Sequence, residues 1–271
     1  MPHFEQLMAH DKLILIAHFD PTGALTSDWL RLLDELRAAA FADLVLVSTR
    51  LNRAAYEERL AGVRVFVREN IGYDFYSWRY GLHEVALRDY AEVVLLNTSM
   101  VVLDAVKFSG VLRPAMPADA RVRALTVSWQ EGFHAQSYFL QFGRAVLEST
   151  IFQHFWQEMR PVSDRQTVID LYEVGLSRQL GREFPVEPIF SLGPYERFLM
   201  LRRGLKDATK IPAARMEEAY EFYKNSLNPC LLLWDCLLHR YGIVKRQLIR
   251  ENPFGAPIDE LRDFISRCIP G

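Results

Sequence analysis

From Lys12 to His18 (KLILIAH) the chain is apolar almost without interruption, the pattern of a strand buried on both faces of a parallel sheet. Phe19–Gly23 (FDPTG) carries turn chemistry, Asp-Pro and then Gly. Thr26 or Ser27 can cap the helix that follows, with Asp28 in its first turn, and Trp29, Leu32, Leu33, Leu36 and Ala40 recur at helical spacing. Asp43–Ser48 (DLVLVS) predicts a second strand, Ala54–Leu60 a short helix, and Val63–Val67 (VRVFV) a third strand. Phe75–Leu87 predicts a helix and Glu92–Asn97 (EVVLLN) a fourth strand. This alternation predicts an α/β fold, a mainly parallel sheet with helices on both faces.

Ligands of such sheets bind beyond the carboxyl ends of the strands. The unusual polar residues fall there: His18–Asp20, Ser48–Arg50, Arg68–Asp74 and Asn97–Ser99. Beyond residue 105 the pattern is less regular. Leu112–Ala120, with Pro114 and Pro117, reads as a loop, and Arg123–Ser128 and Gln136–Phe142 as strands. Leu147–Met159, Arg165–Leu180, Glu217–Lys224, Asn228–Arg240 and Asp259–Cys268 read as helices, while three prolines break Pro185–Tyr195. No composition shift marks a boundary, so residues 1–271 are expected to form one domain, 1–104 serving the donor and 105–271 the acceptor and catalysis.

Composition narrows the classes. Half of the 271 residues are hydrophobic and 24% are charged, which is globular and not disordered. Lys plus Arg is 32 against 34 for Asp plus Glu, a net charge of −2, which lacks the excess of a nucleic-acid binder. Three cysteines, Cys230, Cys236 and Cys268, are too few and odd in number for a disulfide scaffold, so reduced and mostly buried thiols are expected. Met1–Asp11 does not resemble a leader, and no run nears the ~18 apolar residues of a membrane span. The expected location is cytoplasmic, including the inner face of the cell membrane.

The most specific stretch is Arg68–Gly81 (RENIGYDFYSWRYG), which leaves a strand and opens a helix. Gly72 permits a tight turn, the helix start offers N–H groups to a phosphate, and Arg68 offers a forked cation. Asn70 and Asp74 can bind hydroxyls; the plain alternative is a helix cap and a surface ion pair. Lys245, Arg246 and Arg250 form a basic cluster, either a phosphate site or a solvated face. His134 and Gln136 are candidate ligands for sugar hydroxyls, and Trp129 beside Gly132 is the best stacking candidate. Trp78, Tyr138, Phe155, Trp156 and Trp234 read as core. Walker, Gly-x-Gly-x-x-Gly, Gly-x-Ser-x-Gly and His-Glu-x-x-His motifs are absent.

Taken in order, these segments resemble the rhamnan synthesis F family of glycosyltransferase-like proteins. The resemblance rests on Ile14–Gly23 (ILIAHFDPTG), Leu46–Leu51 in LVSTRL, RENIGYDFYSWRYGL and Val94–Ser99 (VLLNTS). It continues through Phe133–Phe142 (FHAQSYFLQF), Phe152–Trp156 (FQHFW), Tyr172–Leu176 (YEVGL) and Asn228–Gly255. It implies a GT-A-like nucleotide-diphospho-sugar transferase fold and inverting transfer of a sugar, often rhamnose from a dTDP donor, to a bacterial surface polysaccharide. The implied partners are a nucleotide-sugar donor and a glycan or lipid-linked glycan acceptor, with peripheral contact to membrane assembly machinery and no nucleic acid.

Within that resemblance the donor residues are His18, Asp20, Thr49, Arg50, Arg68, Asn70, Gly72, Asp74, Asn97, Ser99, Lys245 and Arg246. Glu173, beside Tyr172 in a motif resembling the acidic helix start of GT-A enzymes, is the first candidate base, with Glu131 and Asp170 as alternatives; each could also be a solvated helix acid. GT-A enzymes commonly hold Mg²⁺ or Mn²⁺ on an Asp after the fourth strand, where this chain has Thr98, a poor ligand for a hard cation. Three outcomes are open: Arg68, Lys245 or Arg246 replaces the metal, Asp104 or Asp74 supplies the carboxylate, or activity is lost. The last keeps a second class in view, a non-catalytic nucleotide-sugar or glycan-binding module.

Overall fold

A computed structural model describes residues 10–116 and 120–269. Most of Met1–Asp11, on which the reading of the leader falls, and Pro117 of the expected loop lie outside the described residues. The four apolar runs are strands β1 (Lys12–His18), β2 (Asp43–Ser48), β3 (Val63–Val67) and β4 (Glu92–Asn97), as expected. The remaining strands are short: β5 (Met100–Val102), β6 (Val122–Ala124), β7 (Val127–Ser128), β8 (His134–Ala135), β9 (Phe139–Gly143), β10 (Val186–Pro188) and β11 (Ile243–Lys245).

Seven strands make one sheet in the order β10-β6-β9-β4-β1-β2-β3. β1 runs parallel to β2 and β4, β2 to β3, and β10 to β6; β9 is antiparallel to β4 and β6. The expected fold class, a mainly parallel α/β sheet, is the one observed, and both halves of the chain contribute strands to it. The order reverses at β1, with β2 on one side and β4 on the other, which makes the β1/β4 crevice the topological switch point. The register sets His18 beside Ser48 and Ala17 beside Asn97, so three strands end at one level.

Helices cover both faces. They are α1 (Ser27–Ala39), α2 (Tyr73–Glu84), α3 (Ala105–Leu112), α4 (Arg144–Leu147), α5 (Thr150–Glu158), α6 (Arg165–Val168) and α7 (Gly175–Leu180). The later ones are α8 (Pro194–Gly204), α9 (Met216–Tyr223), α10 (Pro229–Leu232), α11 (Trp234–Tyr241), α12 (Arg246–Arg250) and α13 (Asp259–Cys268). Alternate residues of β1 divide between two cores: Ile14 and Ile16 pack with α1, α3 and the C-terminal helices, and Leu13, Leu15 and Ala17 with α2, α5 and α7. No helix of the described residues is long and apolar enough to cross a membrane.

Several expected elements differ. Ala54–Leu60 forms only a 3₁₀ turn at Arg53–Tyr56, because its polar sequence supplies no continuous apolar stripe to bury. α2 begins at Tyr73 and stops at Glu84, since Val85 turns extended and buries its side chain. Arg123–Ser128 divides into β6 and β7, which pair with different partners. The helix expected over Leu147–Met159 is broken at Ser149, whose hydroxyl caps α5 through the Phe152 N–H. Asn228–Arg240 is interrupted at Leu233 between α10 and α11. The cysteines are free, but only Cys230 is buried; Cys236 is half-buried and Cys268 exposed.

Candidate functional site

The loop after β1 is held from below. His18 is buried, its Nδ1 2.8 Å from Ser48 Oγ and its Nε2 3.0 Å from the Ala24 carbonyl. Burial lowers the imidazole's affinity for a proton, which favours the neutral ring that donates to Ala24 and accepts from Ser48. Asp20 Oδ1 accepts from Thr22 N–H (2.8 Å), the Thr22 hydroxyl and Ala24 N–H (3.2 Å). Burial pulls the Asp20 carboxyl up, but these hydrogen bonds outweigh it and hold it below the usual range. Phe19 N–H donates to Thr98 Oγ1 at 3.3 Å, tying the loop to the end of β4.

The loop Arg68–Asp74 is organised by its own arginine. Arg68 donates through Nε to Ser77 Oγ, through Nη1 to the Glu69 and Ile71 carbonyls, and through Nη2 to the Tyr73 carbonyl and Ser77 Oγ. All five guanidinium N–H groups are thereby engaged. Gly72 and Tyr73 are both left-handed, at φ +69° and +56°, an unusual pair at a helix start. A Cβ on Gly72 would lie 2.6 Å from Tyr76 Cβ, so glycine is required there for space as well as backbone angle. The turn sets Asp74 in the first turn of α2, half-buried and beside Lys245. Burial pushes the Asp74 carboxyl up to about 6, Lys245 and Arg68 pull it down, and Glu173 pushes it up.

At the end of β4, Ser99 donates its hydroxyl to Asn97 Oδ1 and receives Lys245 Nζ at 2.7 Å. Lys245 arrives on β11, which pairs antiparallel with β5 so that Lys245 lies opposite Met100. Its ammonium also sits 4.6 Å from the centre of the Tyr138 ring. Burial lowers the Lys245 pKa, while nearby Cys230, Glu173 and Asp74 act to raise it. Arg246 donates Nε to the Thr98 carbonyl (2.8 Å) and Nη2 to Thr26 Oγ1 (3.0 Å), and lies 3.6 Å from the buried Asp28 carboxylate.

Two adjoining chambers open over these groups. One, of about 310 Å³, is lined by Arg165, Lys245, Arg246 and Arg250 against Asp20, Asp74 and Glu251. The other, of about 500 Å³, is lined by Asp74, Glu131 and Glu173 against Arg165 and Lys245. Asp74, Ser99, Arg165, Lys245 and Gln247 line both. The first chamber has more cations than carboxylates and the second the reverse, so the cleft is polarised along its length. Glu173 lies in a π-helical stretch, Ile169–Val174, between α6 and α7, and its Oε1 accepts from Ser137 N–H at 2.8 Å. Such stretches re-aim side chains and recur at functional sites.

The structure gathers His18, Asp20, Asp74, Asn97, Ser99, Lys245 and Arg246 of the expected donor set around the cleft. Thr49, Arg50, Arg68, Asn70 and Gly72 line neither chamber. Arg50 turns to the Pro21 carbonyl at 3.1 Å, Thr49 Oγ1 is buried, and Asn70 is exposed. Arg68 and Gly72 shape the loop instead of facing a ligand, because their N–H groups and backbone angles serve the turn itself. Of the expected bases, Glu173 and Glu131 line the larger chamber, while Asp170 is an exposed helix acid bonded by Gln166 Nε2 at 3.0 Å. His134 and Gln136 line the same chamber; Gln136 joins Thr126, Asn228 and Cys230, and His134 Nδ1 lies 2.9 Å from the Gly132 carbonyl. Trp129 lies outside it, packed on Phe133 with Lys224 Nζ 3.8 Å from the centre of its ring.

Arg165, Asn228 and Gln247 line the cleft without having been singled out in the sequence. Arg165 did leave a signal: a cation at the first position of a helix opposes the helix dipole and calls for another reason to be there.

The residues do not fit a divalent ion at the end of β4. Asn97 Oδ1 accepts from Ser99, Thr98 Oγ1 from Phe19 N–H, and the Thr98 carbonyl from Arg246. Ser99 Oγ accepts from Lys245, and the Ser99 carbonyl from Arg246 N–H at 2.8 Å. These oxygens are neutral and already bound by donors, whereas a hard cation needs open, preferably anionic oxygens. Of the two carboxylates considered, Asp104 caps α3 through Lys107 N–H, and Asp74 lies in the cleft facing Lys245 and Arg68. Among the described residues no cluster of three or more His, Cys, Asp or Glu side chains is placed to hold a metal.

Residues 119–193 match the model of the family described as rhamnan synthesis protein F. The matched segment includes β9, Glu131, His134, Gln136 and Glu173, and the Arg68–Gly81 motif lies outside it. No curated protein matches the chain. Among solved structures, the glycosyltransferase GlyE of Streptococcus pneumoniae TIGR4 is 12% identical, covering 86% of this chain and 54% of its own, at a TM-score of 0.45. A cytidylyltransferase from Leptospira borgpetersenii is 13% identical, covering 80% and 96%, at 0.40. The 4-diphosphocytidyl-2C-methyl-D-erythritol synthase of Anaerococcus prevotii is 11% identical, covering 66% and 89%, at 0.41. Likeness at this level says nothing of the chemistry at the cleft.

Proposed function

We propose that the chain is a glycosyltransferase that moves a sugar from a nucleoside diphosphate donor to a glycan hydroxyl with inversion. The observation that carries this reading is the polarised cleft at the switch point, in which a cation-rich chamber opens through Asp74 and Lys245 into one that holds Glu173. The diphosphate suits the first chamber and the sugar with its acceptor the second. In the transfer, the acceptor oxygen bonds to the anomeric carbon and the bond from that carbon to the diphosphate breaks, its electron pair leaving with the diphosphate. Glu173 takes the acceptor proton, its free oxygen facing the hydroxyl while Ser137 N–H holds the other. Rhamnose is the sugar we favour, from the rhamnan named in the description of the matching family, and dTDP-rhamnose its donor, as the sequence resemblance implies. The acceptor is then a surface glycan or its lipid-linked precursor, met at the inner face of the membrane.

Glu173→Gln tests the assignment. Turnover of dTDP-rhamnose with a rhamnan oligosaccharide should fall by ~10²–10⁴ while donor affinity stays within twofold, the loss expected when a general base is removed. Unchanged turnover would transfer the role to Glu131. A second reading, a non-catalytic nucleotide-sugar or glycan-binding module, draws on Thr98 standing where related enzymes carry a metal-binding Asp. Donor binding without any transfer by the parent protein, across several glycan acceptors, would favour that module.

A further inference from the structure

We infer that the Lys245 ammonium stands in place of a divalent metal ion, so that the nucleoside diphosphate is held and its departing charge neutralised by the protein's own cations. The inference rests on the nucleotide-donor reading above and adds to it the means of binding.

Its geometry is specific. Lys245 is fixed from three sides, by the β11–β5 ladder through its backbone, by Ser99 Oγ at 2.7 Å, and by the Tyr138 ring at 4.6 Å. It lies where the two chambers meet, the position that the scissile bond between diphosphate and sugar must occupy if each part takes the chamber suited to it. The hydrogen-bond chain from Lys245 through Ser99 to Asn97 uses the oxygens that a metal would need, and Arg246 takes the carbonyls of Thr98 and Ser99. A divalent cation brought to this point would meet the Lys245 ammonium and the Arg246 guanidinium, and the carboxylates nearby, Asp74 and Glu173, already face that ammonium. A diphosphate brought there meets Lys245 and Arg246, with Arg165 and Arg250 lining the same chamber. An ammonium is a compact point charge suited to an oxygen whose negative charge grows as the bond breaks. Thr98 is neutral, with its hydroxyl bound by Phe19 N–H and its carbonyl by Arg246, so it leaves the charge of these cations to the diphosphate.

The test is calorimetric titration of dTDP, UDP, GDP and CDP into the protein at constant ionic strength, with EDTA, with Mg²⁺ and with Mn²⁺. At least one nucleotide is expected to bind, with Kd changing by less than twofold between EDTA and either ion. Lys245→Met should weaken that nucleotide at least 30-fold, with no rescue by Mn²⁺, and Lys245→Arg should stay within tenfold of the parent. Tightening of the parent by more than tenfold with Mg²⁺ or Mn²⁺, or full affinity in folded Lys245→Met, would overturn the inference and leave the donor reading standing. Failure of all four nucleotides to bind the parent under every condition would remove the donor reading itself, and this inference with it. If Lys245→Met does not fold, the comparison of EDTA with metal ions on the parent decides alone.

Discussion

Asp74 shows how one residue can carry opposing demands. Its carboxyl is pushed up to about 6 by burial, above the 3.8 of an unstrained Asp. Because the folded state holds this proton more tightly than the unfolded chain, the penalty is absent below about pH 4, grows as pH rises to about 6, and is complete above it. Asp74→Asn is therefore expected to raise the thermal midpoint at pH 8 and leave it nearly unchanged at pH 4; equal shifts at both would show that Asp74 is not held out of water. Such a residue, destabilising when charged, is the kind retained for a site. Of the two residues the sequence singles out in this loop, Asp74 lines the cleft and Arg68 does not, for a simple reason. The partners of Arg68 are the backbone carbonyls of Glu69, Ile71 and Tyr73 and the Ser77 hydroxyl, which no residue-type pattern displays. Lys245 is legible as a cation, yet its pairing with Ser99, 146 positions earlier, depends on a strand pairing that its three residues hardly announce.

Among the elements, legibility follows burial pattern. The four long strands are continuous apolar runs that bury both faces, and their bounds can be read directly. β7, β8 and β11 are two or three residues long and leave no periodicity to read. α8 begins with Pro194 at its first position and Glu196 reaching back to Gly193 N–H at 3.1 Å, a start signal present in the sequence but masked by the neighbouring prolines. α2 lies unusually close to the sheet, since a Cβ on Gly81 would come within 2.5 Å of Leu15 Cδ1 and 3.0 Å of Val47 Cγ2. Gly81→Ala should gain ~1 kcal/mol of helix propensity and lose ~1–3 kcal/mol to overpacking, a net loss on urea unfolding. A net gain would show that β1 and β2 yield to the helix.

Across the molecule, one buried ion pair joins sheet and helix at the edge opposite the cleft. Lys12 and Glu92 open adjacent strands β1 and β4, 3.0 Å apart; Lys12 Nζ also donates to the Leu112 carbonyl at 2.7 Å, and Glu92 accepts from Gln141 and from Met116 N–H. Glu92→Ala leaves a buried ammonium without its counter-charge and should cost ~3–5 kcal/mol of unfolding free energy, read by urea denaturation. A loss below 1 kcal/mol would mean that the carbonyls of Leu112, Arg113 and Pro114, all bonded by Lys12 Nζ, suffice. Both ends of the sheet thus depend on cations, but they reach their places at different times. Lys12 lies on the first strand, whereas Lys245, Arg246 and Arg250 of the cleft follow more than two hundred residues later. A growing chain that has already aligned its parallel strands sets Asp74 near Glu173 without the Lys245 ammonium that lies beside both. Of the first chamber's Arg165, Lys245, Arg246 and Arg250 it would have only Arg165 to offer an anionic ligand, so the full capacity to bind appears only when the ribbon of Ile243–Lys245 is laid beside Met100–Val102.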